Sequence, residues 1–121
     1  MKQKVYITIA GTNYYHGRDF LEPGMKVRLI KDPDNEHDRE AIRVEMDGLG
    51  KIGYVANSPW TVQGESLSAG RLYDRIGDTA RAKVKHVLGK GVLCVVRDKD
   101  LIFDPPRAKS PREADEDGRK I

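Results

Sequence analysis

The segment Lys31-Asp-Pro-Asp-Asn-Glu-His-Asp-Arg-Glu-Ala-Ile42 sets carboxylates, an amide and an imidazole in one turn between two alternating apolar runs. Pro33 fixes its own φ, and Asp32, Asp34 and Asn35 can accept from nearby backbone N–H groups, which predicts a compact loop. His37 and Asp38 stand just before Ala41-Ile42-Arg43-Val44, so a strand starting there holds both at the rim of a sheet, a frequent location for binding residues. An ordinary solvated acidic connection is the competing reading. A second cluster, Thr12-Asn-Tyr-Tyr-His-Gly17, places two phenol rings and an imidazole between glycines. In an extended backbone Tyr14 and Tyr15 point to opposite faces, one into the core and one outward, either as a flat binding platform or as a ring packed at a sheet edge with its hydroxyl wet.

Catalysis finds little support in these residues. Neighbours in an extended segment point apart, so His37 and Asp38 form no dyad, and no nucleophile accompanies them. The chain has no Walker-type glycine loop, no G-x-S-x-G elbow and no H-E-x-x-H. Cys94 is the single cysteine, which rules out an internal disulfide and a one-chain thiolate zinc cluster and reads as a small core residue. A calcium loop starting at Asp32 would need Gly where His37 stands and Glu where Arg43 stands. The expectation is a protein that is not an enzyme and carries no cofactor or metal.

The 121 residues suffice for one domain, with 38% hydrophobic and 34% charged residues. No run approaches the roughly 18 apolar residues of a membrane span. Met1-Lys-Gln-Lys-Val5 leads into a strand-like pattern without a signal peptide's apolar stretch, so no membrane partner and a cytoplasmic location are expected. Net charge is +3 with a pI of about 9.0. Residues 104–121 hold five bases (Arg107, Lys109, Arg112, Arg119, Lys120) and five acids (Asp104, Glu113, Asp115, Glu116, Asp117), so the excess belongs to the first 103 residues and admits a polyanionic partner.

The elements that must position the two clusters follow from apolar periodicity. Val5, Ile7 and Ile9 alternate with polar or small residues up to Gly11 and predict a strand. Pro23-Gly24 marks a turn, after which Met25, Val27 and Leu29 form a second strand; Ile42, Val44 and Met46 form a third, and Lys51-Ile-Gly-Tyr-Val55 a fourth. Pro59 suits a short helical turn, in which Trp60 is expected to cap the core rather than lie over a groove. Ala69, Leu72, Tyr73 and Ile76 have helical spacing, with Ser66 or Ser68 to start the helix and Gly77 to end it. Ala80, Ala82 and Val84, then Gly89-Lys-Gly91, then Val92-Leu-Cys-Val-Val96 predict a hairpin, and Leu101-Ile-Phe103 a last edge strand. The expected fold is mainly β with a small helical insertion, an OB-like six-stranded β-barrel with one or two short helices over residues 1–103, followed by a disordered polar tail over 104–121.

Taken together, Gly11-Thr-Asn-Tyr-Tyr-His-Gly17, the Lys31–Ile42 segment and Gly50-Lys-Ile-Gly-Tyr-Val55 resemble the HIRAN domain family, from about Val5 through the helix near Ile76 and less closely to about Val96. The resemblance implies an OB-like barrel with a pocket for the 3′ end of single-stranded DNA. It implies that Tyr14 contacts a terminal base and that Asp38 accepts a hydrogen bond from the 3′-hydroxyl, whereas a 3′-phosphate would meet like charge. His37 stands where the family's DNA-binding pattern has an aromatic residue and can still stack. Asn13, Tyr54 and Asn57 stand where that pattern has an arginine, a histidine and a lysine near the phosphates, which weakens backbone binding unless Lys31, Lys51 or Arg39 substitutes. The candidate nucleic-acid-binding set is therefore Asn13, Tyr14, Tyr15, Asn35, His37, Asp38, Tyr54 and Asn57. The expected partner is a single-stranded DNA 3′ end, with RNA as the competing strand and a DNA-processing protein as a further partner. The alternative is a protein-interaction adaptor without DNA binding, in which Trp60, Phe20 and exposed strand edges make the contact.

Overall fold

A computed structural model describes residues 4–17 and 19–102. Six antiparallel strands close into a barrel in the order β1-β4-β3-β2-β5-β6. They are β1 (Tyr6–Ala10), β2 (Lys26–Lys31), β3 (Ile42–Met46), β4 (Gly50–Val55), β5 (Thr79–Leu88) and β6 (Gly91–Val96), with one helix, α1 (Ala69–Tyr73), between β4 and β5.

Period-two alternation is what builds the wall. On β5 the side chains of Ala80, Ala82 and Val84 are buried while Arg81 and Lys83 are exposed. Ile7, Ile9, Leu29, Ile42, Val44, Ile52, Val92 and Cys94 are fully buried and fill the barrel. Burial pushes the Cys94 thiol up to about 12, so this cysteine packs as a hydrophobe. The seam between β1 and β4 is short, pairing Ile9 with Val55 and Ala10 with Tyr54. It closes because Gly53 has no side chain: a Cβ there would lie 2.7 Å from the Ala10 carbonyl oxygen and 2.8 Å from Ile9 Cγ2. The outer face of β1 is covered as well. Thr8 is buried, its hydroxyl 2.8 Å from Ser66 Oγ, and Ala56 N–H donates to the Thr8 carbonyl.

Several expectations change. The helix spans only Ala69–Tyr73, capped by Ser68, whose hydroxyl accepts from Arg71 N–H; it ends well before Gly77 because Ile76 bridges to Leu101 instead of continuing a helical stripe. Leu101 makes that single bridge rather than a strand, and Phe103 and the 104–121 tail lie outside the described residues. Because the barrel closes, the described strands leave no free edge of the kind an adaptor would offer. Trp60 is 90% exposed and caps nothing. The N–H groups of Thr61 and Val62 both donate to the Ser58 carbonyl, and this tight turn carries the indole outward. No helix of the described chain is long and apolar enough to cross a membrane.

Candidate nucleic-acid interface

Three connections meet at one end of the barrel: residues 11–17 after β1, residues 32–41 between β2 and β3, and residues 56–61 after β4. They enclose an open cleft of about 500 Å³ lined by Tyr14, Tyr15, Asn35, His37, Asp38, Tyr54 and Asn57, with Ser58, Thr61 and the backbone of Gly11 completing the wall.

The Asx chemistry anticipated in the 32–41 loop is present. Asn35 N–H donates to the Asp32 carbonyl, and Asn35 Oδ1 accepts from His37 N–H at 2.9 Å and Asp38 N–H at 3.0 Å. These bonds fix the backbone that carries the His37 and Asp38 side chains. Asp38 is then held by its carboxylate: Oδ1 accepts from Glu40 N–H at 2.9 Å and Oδ2 from Asn57 Nδ2 at 2.6 Å. Among the described residues no ion pair is among its contacts, and a carboxylate has room for about four hydrogen bonds, so acceptor capacity remains toward the cleft. Asn57 does double duty, since its Oδ1 accepts from Gly70 N–H at 2.8 Å in α1. That amide thus ties the loop carrying Asp38 to the helix.

Tyr14 and Tyr15 do not divide between core and solvent. Gly11 takes φ +75°, and Thr12–Tyr14 wind into a 3-10 turn, so the extended-strand alternation does not apply; Tyr14 is 87% and Tyr15 40% exposed. Asn13 is the one candidate outside the cleft, lining a neighbouring depression with Lys90.

Tyr54 connects the floor of the cleft to its cation. Its hydroxyl accepts from Lys51 Nζ at 3.0 Å and donates to Asp32 Oδ2 at 3.3 Å. Lys51 Nζ lies 4.9 Å from the Tyr54 ring centroid and 5.5 Å from that of Tyr15. The bond to the Tyr54 hydroxyl holds the Lys51 ammonium above its ordinary pKa, against the smaller opposing effect of burial. Of the three substitute cations considered, Lys51 is thus the one beside the cleft. Lys31 donates to the Ile76 carbonyl and lies over the Tyr73 ring, and Arg39 is exposed without lining the cleft.

The position of Lys51 has a cause that periodicity hides. Residues 51 and 54 would lie on opposite faces of an ideal strand. Val44 pairs with Gly53 but Glu45 with Lys51, so β4 carries one extra residue and the bulge rotates Lys51 onto the Tyr54 side. Ser58 and Thr61 were not anticipated either. They reach the cleft through a turn in which the two hydroxyls are 3.0 Å apart, for which Ser-Pro-Trp-Thr was the only visible signal.

Comparison with known proteins agrees with this architecture. Residues 2–59 match the family model described as the HIRAN domain. The crystal structure of the HIRAN domain of human HLTF superposes with a TM-score of 0.52 at 18% identity, over 77% of this chain and 74% of that one. A crystal structure of a protein from Lactobacillus plantarum aligns with a TM-score of 0.48 at 22% identity, over 78% of this chain and 97% of that one. No curated protein matches the chain.

Proposed function

We propose, from the premise that residues 2–59 are those of a HIRAN domain, that this protein is a non-catalytic module binding nucleic acid and receiving the 3′-hydroxyl end of a single strand. The observation that carries the reading is the meeting of Asp38 with the exposed Tyr14 ring and with Tyr15, His37 and Tyr54 in one open cleft. A terminal base stacks on Tyr14, which supplies about 1–3 kcal/mol and tolerates any base. The last sugar's hydroxyl donates to Asp38, a charge-assisted bond that a 3′-phosphate cannot make. His37 flanks the base. Lys51 stands in for the family's missing cations and meets one phosphate near Tyr15 and Tyr54.

Asn57 gives the mechanism a particular character. Its amide already occupies Asp38 Oδ2, so the incoming hydroxyl either shares the carboxylate or displaces that amide. Binding is then partly an exchange of hydrogen bonds, which leaves stacking as the main source of affinity and Asp38 as the source of end discrimination.

The test is a titration of short single-stranded oligonucleotides, with free or phosphorylated 3′ ends, at two salt concentrations. Tighter binding of the free end is expected, with a shallow log–log salt slope of about −0.7 per phosphate engaged. Equal affinity for both ends would refute end reading. The same series with RNA reports whether a 2′-hydroxyl is accepted.

The exposure of Trp60 favours a second reading, an adaptor that docks another protein, such as a DNA-processing enzyme, through this indole. Partner binding abolished by Trp60→Ala and untouched by Asp38→Ala would establish it.

A further inference from the structure

The wall of the barrel formed by β2, β5 and β6 carries a second charged surface that the cleft does not use. Lys4, Lys26, Arg81, Lys83, Lys85 and Arg97 line a shallow groove of about 410 Å³, where Asp98 is the one acid among the described lining residues. Among the described residues, no acid lies within ion-pair distance of Lys4, Lys26, Arg81, Lys83 or Lys85, whereas Arg97 pairs with Asp100. Lys26 and Lys83 are direct cross-strand partners in the β2–β5 ladder, as are Arg28 and Arg81. Like charges placed opposite each other in a sheet destabilise it. Arg28 is offset by Glu45 and Asp47, but the Lys26–Lys83 pair is offset by nothing in the described chain. The fold therefore keeps a costly concentration of positive charge here.

We propose that this wall is a second docking surface, for the phosphate backbone of a nucleic-acid duplex, independent of base sequence. Alternate residues of a strand project the same way about 6.7 Å apart, close to the axial rise of two nucleotides of a duplex strand. Arg81 and Lys83 on β5 follow that spacing, with Lys26 beside Lys83 on the neighbouring strand. Among the described residues none that lines the groove is aromatic, so these residues offer no platform for unstacked bases and no indole or phenol anchor for a membrane interface or protein hot spot. Positive charge without stacking partners suits paired, backbone-presenting nucleic acid. In the barrel order, β5 is separated from β4 by two strands in either direction, and among the described residues none lines both the groove and the cleft. A duplex on the wall is thus a different segment from the strand end held in the cleft. This surface extends the proposed function, although its chemistry stands without end recognition.

A covalently closed circular DNA duplex has no terminus for the cleft and isolates the wall. The full chain is titrated with such a circle across a salt series, beside Lys26→Gln/Lys83→Gln/Lys85→Gln and Asp38→Ala. Wild type and Asp38→Ala are expected to bind the circle equally, with a steep salt slope. The triple variant is expected to bind more weakly, with a slope shallower by about 2 to 3, as loss of about 0.9 per phosphate contact requires. Its affinity for a 3′-hydroxyl oligonucleotide and its circular dichroism should be unchanged, showing that the barrel and cleft persist. Failure of the wild type to bind the circle at low salt overturns the proposal. So does an unchanged slope in the triple variant, or binding to phosphatidylserine vesicles without binding to the circle. Because the circle has no ends, the failure of end discrimination and the failure of this wall are read in separate assays.

Discussion

Asp38 depends on two neighbours that do different work. Asn35 shapes the backbone beneath it, and Asn57 grips its carboxylate. Asn57→Ala is expected to cost about 1 kcal/mol of stability, since the bonds to Asp38 and to Gly70 N–H are both lost at a solvent-exposed position. It should also blur discrimination between hydroxyl and phosphate ends, measured by oligonucleotide competition beside a chemical melt. Tyr14→Ala should weaken every strand alike by about 1–3 kcal/mol, roughly 5- to 150-fold, because an exposed ring contributes through its face and not through a base-specific bond. The composition of this site was legible in the sequence: seven of the eight candidates line the cleft, and only Asn13 lies outside it. The geometry was not. That Tyr14 and Tyr15 are both exposed follows from the positive φ at Gly11 and the turn behind it, which strand alternation cannot anticipate.

Most strands were readable because they alternate apolar and polar residues, and β6 because its apolar run follows the Gly89-Lys-Gly91 turn. Irregularities were not readable. The β4 bulge that places Lys51 beside Tyr54 is set by pairing with β3, a long-range constraint, and α1 is shorter than its apolar spacing suggested because Ile76 is drawn to Leu101. The β1–β4 seam leads to a prediction at this scale. Gly53→Ala puts a methyl group against the Ala10 carbonyl and Ile9, and overpacking of that kind is expected to cost about 1–3 kcal/mol, visible as a lower thermal midpoint. The 3-10 turn Asp98–Asp100 supplies another. Burial raises the pKa of the Asp100 carboxyl, but hydrogen bonds from Arg97 and from Arg81 N–H, and their charges, outweigh it, so the net shift is downward. A carboxyl lowered by folding stabilises the native state above its unfolded pKa, near 3.9, and that stability drains away as pH falls through the lower folded value. Asp100→Asn should accordingly melt at a lower temperature than wild type at neutral pH, with the gap narrowing as the solution is acidified below about pH 4.

At the scale of the whole molecule the interior is inert and the chemistry is external. With its thiol held near 12 and its side chain fully buried, Cys94 should react with a thiol reagent only as the barrel opens, so labelling and global unfolding should share one denaturant midpoint. Labelling well below that midpoint would contradict a single cooperative core. The excess charge of +3 hides an uneven distribution, with lysines on one wall that pair with no acid among the described residues and a carboxylate-bearing cleft lined by a separate set of residues.

The closed ring of strands also separates what specifies the scaffold from what specifies the ligand. Every cleft-lining side chain except those of Ala10, Tyr54 and Val55 is borne by a connection between strands. New residues grafted into segments 11–17 and 32–41 would therefore readdress the module to another guest, while the frame beneath kept its pairing and its fill.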